Sequence, residues 1–350
     1  MSVNGLSGLA NLGNTCFINS CMQVLSHTYE LNDFLDKNNS DYKNKLSLYK
    51  DKKYLYDCKL LIEWDNLRKL LWHDNRVISP GGFIKTIQYV AKHKNKEIFT
   101  GYAQNDLPEF LLFILESFHN GMRREVDMTI KGDIKSKTDE MAKKCYEMMK
   151  MMYSNEYSEM LDIFYGIHVS KIEKNEEILS MKPEPFFIID LPIPSNIKGI
   201  NISTCFKYYC EGEKLEGDNA WFNEKTNKKE DVNKKITFWS LPKILVLDLK
   251  RFNINGKKIQ SPINIETDEL DLTPYVDGYD KNSYKYQLYG VCNHSGGTMG
   301  GHYTATIRNK MNNWYLFNDT NVKKINNFNG ENNTSRYCLF YRKILNKKYI

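Results

Sequence analysis

Apolar and polar positions follow two different periods along this chain, and the period changes near its middle. From Cys16 onward, Phe17, Cys21, Val24 and Leu25 share one helical face. Tyr56, Leu60, Trp64, Leu67 and Leu71 repeat at the same spacing with charges between them. Phe83, Ile87 and Val90 follow Ser79-Pro80, a capping residue with proline at the first helical position. The stretch 104–110 opens a further helix, apolar through Leu115 and ending near Gly121, with Asp106 and Glu109 at capping-box spacing. Residues 138–165 read as helix with a Met141, Cys145, Met148 and Met152 stripe, and 36–53 as a polar loop. Beyond Phe164-Tyr165-Gly166, strands are predicted at 186–190, 236–239, 244–252, 284–291, 302–308, 313–317 and 337–341. Residues 195–235 are polar and read as an excursion from the body. A helical first part and a strand-rich second part predict an α+β fold.

Composition narrows the class. The chain has 350 residues, 41% of them hydrophobic, enough for a sizeable core. A net charge of +6 is small for this length, and the basic runs are interleaved with acids, so no nucleic-acid footprint is expected. The eight cysteines show no C-x-x-C pair, and no stretch reaches the ~20 apolar residues of a membrane span. Free thiols in a reducing, cytoplasmic setting are expected, with nuclear entry left open.

Two stretches carry chemistry. In Gly8-Leu9-Ala10-Asn11-Leu12-Gly13-Asn14-Thr15-Cys16, a glycine-broken loop runs into a helix start. Asn14 or Thr15 is expected to cap that helix, and Cys16 in its first turn is expected to have a lowered thiol pKa. The Asn11 amide is a candidate oxyanion donor. Most cysteines that open apolar helices are small core residues, so a partner histidine is needed. His294-Ser295-Gly296-Gly297-Thr298-Met299-Gly300-Gly301-His302-Tyr303 supplies one, with glycines that allow a mobile backbone and close ligand approach. Trp314-Tyr315-Leu316-Phe317-Asn318-Asp319 ends a strand in two polar residues, either of which could orient His302 toward Cys16.

Taken together, these stretches resemble the Cys and His boxes of the ubiquitin-specific proteases, papain-like cysteine peptidases. Gln104-Asn105-Asp106-Leu107-Pro108-Glu109-Phe110 and Leu241-Pro242-Lys243-Ile244-Leu245-Val246-Leu247-Asp248-Leu249-Lys250-Arg251-Phe252 are similar to further family motifs, as are Phe164-Tyr165-Gly166 and Leu191-Pro192-Ile193-Pro194. The resemblance spans nearly the whole chain. It implies one catalytic domain shaped like a hand: a helical thumb over about 1–165, fingers and connecting strands over 166–250, and a palm over 251–350. It implies hydrolysis after the C-terminal glycine of ubiquitin, with Cys16 as nucleophile, His302 as base and acid, Asn318 or Asp319 as its orienting residue, and Asn11 at the oxyanion. It places Gln104, Asp106, Glu109, His294, Gly300, Gly301 and Tyr303 along ubiquitin's basic tail, with the His294 glycine run as a blocking loop. The expected partners are ubiquitin and ubiquitinated proteins, with no nucleic acid or membrane, and the chain is expected to be a monomer without cofactor. Many family members bind zinc through two C-x-x-C pairs in the fingers. Here those places read Glu173, Glu176, Asn223 and Thr226, so metal-free fingers are expected. The rival readings are a ubiquitin-docking module with little catalysis, and a protease for another ubiquitin-like modifier.

Overall fold

A computed structural model describes residues 4–37, 43–44, 52–195, 197–253, 255–280, 284–297, 300–330 and 333–345. The first half is helical. A short strand β1 (Gly8–Leu9) leads into α1 (Cys16–Ser26), followed by α2 (Tyr29–Lys37) and α3 (Lys52–His73). Strand β2 (Val77–Ile78) pairs with β1, and α4 (Gly81–His93), α5 (Leu107–Met122), α6 (Lys137–Glu156) and α7 (Glu159–Phe164) follow.

The second half holds the sheets. Strands β3 (Gly166–Lys174), β4 (Glu177–Phe186) and β5 (Ile188–Leu191) precede helix α8 (Ile202–Glu211). Then come β6 (Glu213–Leu215), β7 (Trp221–Asn223), β8 (Lys228–Glu230), β9 (Val232–Ser240), β10 (Ile244–Leu249) and β11 (Leu270–Asp271). Finally β12 (Lys285–Gly297), β13 (Gly300–Arg308), β14 (Trp314–Asn318), β15 (Asn321–Ile325) and β16 (Arg336–Lys343) complete the fold. The large sheet runs β15-β14-β13-β12-β16-β10-β5, with β11 beside β12. A second sheet, β4-β3-β9-β6, and the β7–β8 hairpin form the finger-like part.

The large sheet is buried on both faces, which explains the unbroken apolar run in β10. Ile244 and Val246 join the core shared with α1, α3, α4 and α5, while Leu245, Leu247 and Leu249 join the opposite core with Cys205 and Phe206 of α8. Every residue of α1 is buried, because it lies between the thumb helices and the sheet. The α+β, hand-like class stands.

Several local expectations are corrected. Pro80 is the cap position of α4, one residue before the helix, and no side chain caps it. The 138–165 helix is broken at Tyr157, whose backbone instead exchanges hydrogen bonds with Arg124 (2.8 and 2.9 Å). The strand expected at 186–190 is interrupted at Phe187, because β4 and β5 belong to different sheets. The polar 195–235 segment contains α8, started by Asn201, which accepts from Thr204 N at 2.7 Å. The 36–53 loop begins and ends in helix, and its residues 38–42 and 45–51 lie outside the described residues.

Candidate active site

The loop before Cys16 is pinned from both sides. Ala10 N donates to Ile78 O (2.8 Å) on the helical side, and Leu9 N donates to Asp319 O (2.9 Å) on the sheet side. Gly8 is required there, since a Cβ would lie 2.3 Å from the Thr320 carbonyl oxygen. Asn11 folds back on the loop. Its Oδ1 accepts from Gly13 N and Thr15 N, each at 3.1 Å, an Asx-type turn that fixes the amide. Its Nδ2 donates to Asp319 Oδ2 at 3.0 Å and keeps a second N–H in hand.

Capping of α1 differs from the expectation. Thr15 occupies the cap position but makes no side-chain cap; its hydroxyl accepts from Leu12 N at 3.0 Å. Asn14 donates instead to Tyr102 O at 3.0 Å. The Cys16 thiol is also pushed up from its ordinary value, not down. Burial is the largest cause, and the nearby Asp319 charge adds to it, against hydrogen bonds from Tyr303 N–H and the Gln104 amide. Only 3% of Cys16 is exposed, so desolvation outweighs the helix terminus.

His302 lies on β13 with Asn318 at the end of the neighbouring β14, and its Nε2 donates to Asn318 Oδ1 at 2.6 Å. This bond leaves Nδ1 as the free acceptor. The choice between the two orienting candidates is resolved by contact: Asn318 meets His302, whereas Asp319 binds Asn11 and, through Oδ1, Asn19 Nδ2 at 2.8 Å. Asp319 therefore steadies the loop that leads into Cys16. The thiol sits beside the strand carrying the imidazole, since it accepts from the N–H of Tyr303, the residue after His302. Among the described residues no hydrogen bond joins the thiol to the His302 ring; its side-chain partner is Gln104 Nε2 at 3.5 Å.

Gln104 also clasps Gly301, donating to its carbonyl and accepting from its N–H, both at 2.7 Å. The start of α5 is bound to the sheet at two further points. The Tyr337 hydroxyl donates to Asp106 Oδ2, and the Leu107 N–H donates to the Tyr303 hydroxyl. Asp106 Oδ1 caps the helix by accepting from Glu109 N at 3.1 Å, as its spacing predicts. A cleft of about 650 Å³ opens here, lined by Gln104, Asp106, Asp248, Lys250, His294, Gly300 and Tyr303 among others. Gln104 lines this cleft and touches the sulfur, while Cys16 itself does not line it.

The glycine run is not a mobile loop where it is described. Ser295↔His302, Gly296↔Gly301 and Gly297↔Gly300 pair as the end of the β12–β13 hairpin, and Thr298 and Met299 lie outside the described residues. His294 is buried beneath this hairpin against Phe252, Tyr303 and Tyr337. Burial, with the Lys258 ammonium beside it, lowers its pKa to about 4 and keeps it neutral.

The finger positions do not fit zinc. Asn223 Nδ2 and Thr226 Oγ1 both donate to Glu230 Oε1 (2.8 and 2.9 Å), and the Lys174 ammonium holds Glu230 Oε2 at 2.7 Å. An ammonium and two neutral donors gather round one carboxylate, the opposite of a thiolate set. Among the described residues no group of three or more His, Cys, Asp or Glu could hold a metal. Sequence reasoning missed Asp248 and Asn19. Asp248 was visible as a lone charge inside the apolar run of β10.

A thiol at the head of a buried helix thus lies beside a strand whose histidine is bonded to a carboxamide on the next strand, the groups a thiol–imidazole site needs. The family model described as "Ubiquitin carboxyl-terminal hydrolase" matches residues 7–341, and the chain belongs to that family. It is 33% identical to ubiquitin carboxyl-terminal hydrolase 2 of Bos taurus over 97% of this chain and 55% of that protein. It is likewise 33% identical to that of Gallus gallus, over 97% of this chain and 94% of the other. The chain thus spans about half the length of several curated relatives it matches. Among solved structures, a chain of the SAGA DUB module Ubp8/Sgf11/Sus1/Sgf73 bound to monoubiquitin aligns with a TM-score of 0.71. It is 23% identical, over 98% of this chain and 70% of that one.

Proposed function

We propose that this chain is a cysteine deubiquitinase, hydrolysing the isopeptide or peptide bond at the C-terminal glycine of ubiquitin. The observation that carries this reading is Gln104, which lines the cleft and also donates to the Cys16 sulfur, with the His302–Asn318 pair on the adjoining strands β13 and β14. His302 Nδ1 takes the thiol proton while Nε2–H stays on Asn318, and the thiolate attacks the glycine carbonyl. The Cys16 N–H and the second N–H of Asn11 receive the oxyanion, an effect worth about 3–4 kcal/mol per donor in comparable sites. Protonated His302 then gives its proton to the leaving amine and activates water to cleave the thioester. Ubiquitin is the proposed partner, its basic tail lying in this cleft past Asp106.

Cys16→Ala tests this directly: ubiquitin binding is retained and release of a C-terminal fluorophore is abolished. Residual cleavage near the wild-type rate would overturn the nucleophile assignment. Labelling of the wild-type thiol by electrophile-tipped ubiquitin, compared with tipped relatives, separates this reading from a docking module and from another modifier's protease.

A further inference from the structure

We infer that Asn19 is a positioning residue for the reaction: through Asp319 it ties the oxyanion donor Asn11 to the helix that carries the nucleophile. This rests on the hydrolase reading of Cys16 and His302.

Asn19 lies about one turn beyond Cys16 on α1, and its backbone N–H donates to Thr15 O at 2.9 Å. Only 2% of it is exposed. Its Nδ2 faces three oxygens: Asp319 Oδ1 at 2.8 Å, Ala10 O at 3.3 Å and Leu9 O at 3.4 Å. Turning the amide over would set Oδ1 against those oxygens, so it is the nitrogen that faces them. At the other end Oδ1 is buried and, among the described residues, accepts no hydrogen bond. An unmet buried acceptor carries a full desolvation cost, which an apolar side chain in this place would avoid. Asn19 is therefore held for what its nitrogen does.

That nitrogen grips a carboxylate whose other oxygen sets Asn11. Asp319 Oδ2 accepts from Asn11 Nδ2 at 3.0 Å, while Asn11 Oδ1 accepts from Gly13 N and Thr15 N. With its oxygen and one N–H engaged, the Asn11 amide has a single orientation, and its second N–H is left for the oxyanion. Without Asn19, Asp319 loses its side-chain anchor on α1, in a turn where it already has a positive φ of 49°. The Leu9 and Ala10 carbonyls of the same loop lose their side-chain donor at once. Oxyanion donors stabilise charge only if they are fixed before the reaction. Here the Cys16 N–H belongs to α1, whereas the Asn11 amide belongs to a loop. Asn19 couples the two, so that both donors keep one spacing.

The test compares Asn19→Ala, which removes the donor and its volume, with Asn19→Leu, which removes the donor and keeps the volume. On ubiquitin carrying a C-terminal fluorophore, each is expected to cut kcat about ten-fold with KM changed less than about two-fold. In an Asn11→Ala background, where no amide remains to be positioned, either change is expected to cost less than about two-fold. An unchanged kcat, a loss confined to KM, a defect in Asn19→Ala that Asn19→Leu restores, or a full loss in both backgrounds would overturn the role. Ubiquitin aldehyde gives a second readout. The Cys16 thiol adds across its carbonyl, the S–C bond forming as the thiol proton passes to the oxygen that the oxyanion donors meet. Asn19→Leu is expected to weaken aldehyde binding about ten-fold and to leave unmodified ubiquitin within about two-fold; equal weakening of both would mean general damage and refute the role. A wild-type chain that cleaves no ubiquitin substrate would instead overturn the hydrolase reading. The NMR order parameter of the Asn11 side-chain amide then decides the coupling without substrate: it is expected to fall in Asn19→Leu, and an unchanged value refutes it.

Discussion

Asp248→Asn should make the folded protein more stable at alkaline pH, and the size of the effect follows from its burial. In the fold the carboxyl titrates at about 7, against 3.8 when free. A raised acid pKa means that the folded state binds the proton more tightly than the unfolded chain. Stability is therefore greatest below 3.8, declines as pH rises toward 7, and stays reduced above it. About three units correspond to about 4 kcal/mol of charging cost at pH 8, an upper figure for a site that can relax. Asparagine keeps the shape and removes the charge, and the lost Lys250 contact is offset by Asp190 at 2.9 Å. For a chain of this length such a gain raises Tm by about 5 °C. Melting curves of the two proteins should diverge at pH 8 and converge toward pH 4. A variant that melts lower than wild type at pH 8 would show that the Asp248–Lys250 pair is a net stabiliser and refute the reasoning. Confirmed, it would mark a residue retained at a cost in stability, which is common where function demands it.

The two neighbouring polar residues should separate by phenotype. Asn318→Ala is expected to cut kcat by about 10²–10⁴ through loss of the fixed imidazole while Tm is little changed, because Asn318 is exposed. Asp319→Ala, which frees Asn11 and Asn19, is expected to lower both kcat and Tm; identical behaviour of the two variants would contradict the contacts described. EDTA should leave Tm within about 1 °C of its starting value if polar groups replace metal in the fingers. Glu230→Ala should speed proteolytic cutting between Asn223 and Lys228. Gly8→Ala is expected to cost about 1–3 kcal/mol, since its methyl would meet the fixed Thr320 carbonyl; calorimetry measures this, and an unchanged Tm would mean that the β1 strand yields freely.

Much of this site was legible because its parts are short and local. The loop into Cys16, the Asp106 cap and the strand ending in Asn318-Asp319 are each written within a dozen residues, and their types alone proposed a thiol–imidazole pair. Local sequence likewise sufficed for the helical and strand-rich halves, since apolar period depends only on which face is buried. What it could not supply was burial and pairing between distant segments. The helix start suggested a lowered Cys16 pKa, but packing against β13 excludes water and reverses the sign. Four glycines suggested a loose flap, but their register with one another makes a hairpin. Asn318 and Asp319 are chemically interchangeable on paper. They are separated only by which one faces His302 and which one turns, with a positive φ of 49°, toward Asn11. Sequence thus determined the reactive groups and their elements. Tertiary structure decided their charge states and partners, because desolvation and hydrogen-bond geometry arise only where segments remote in the chain meet.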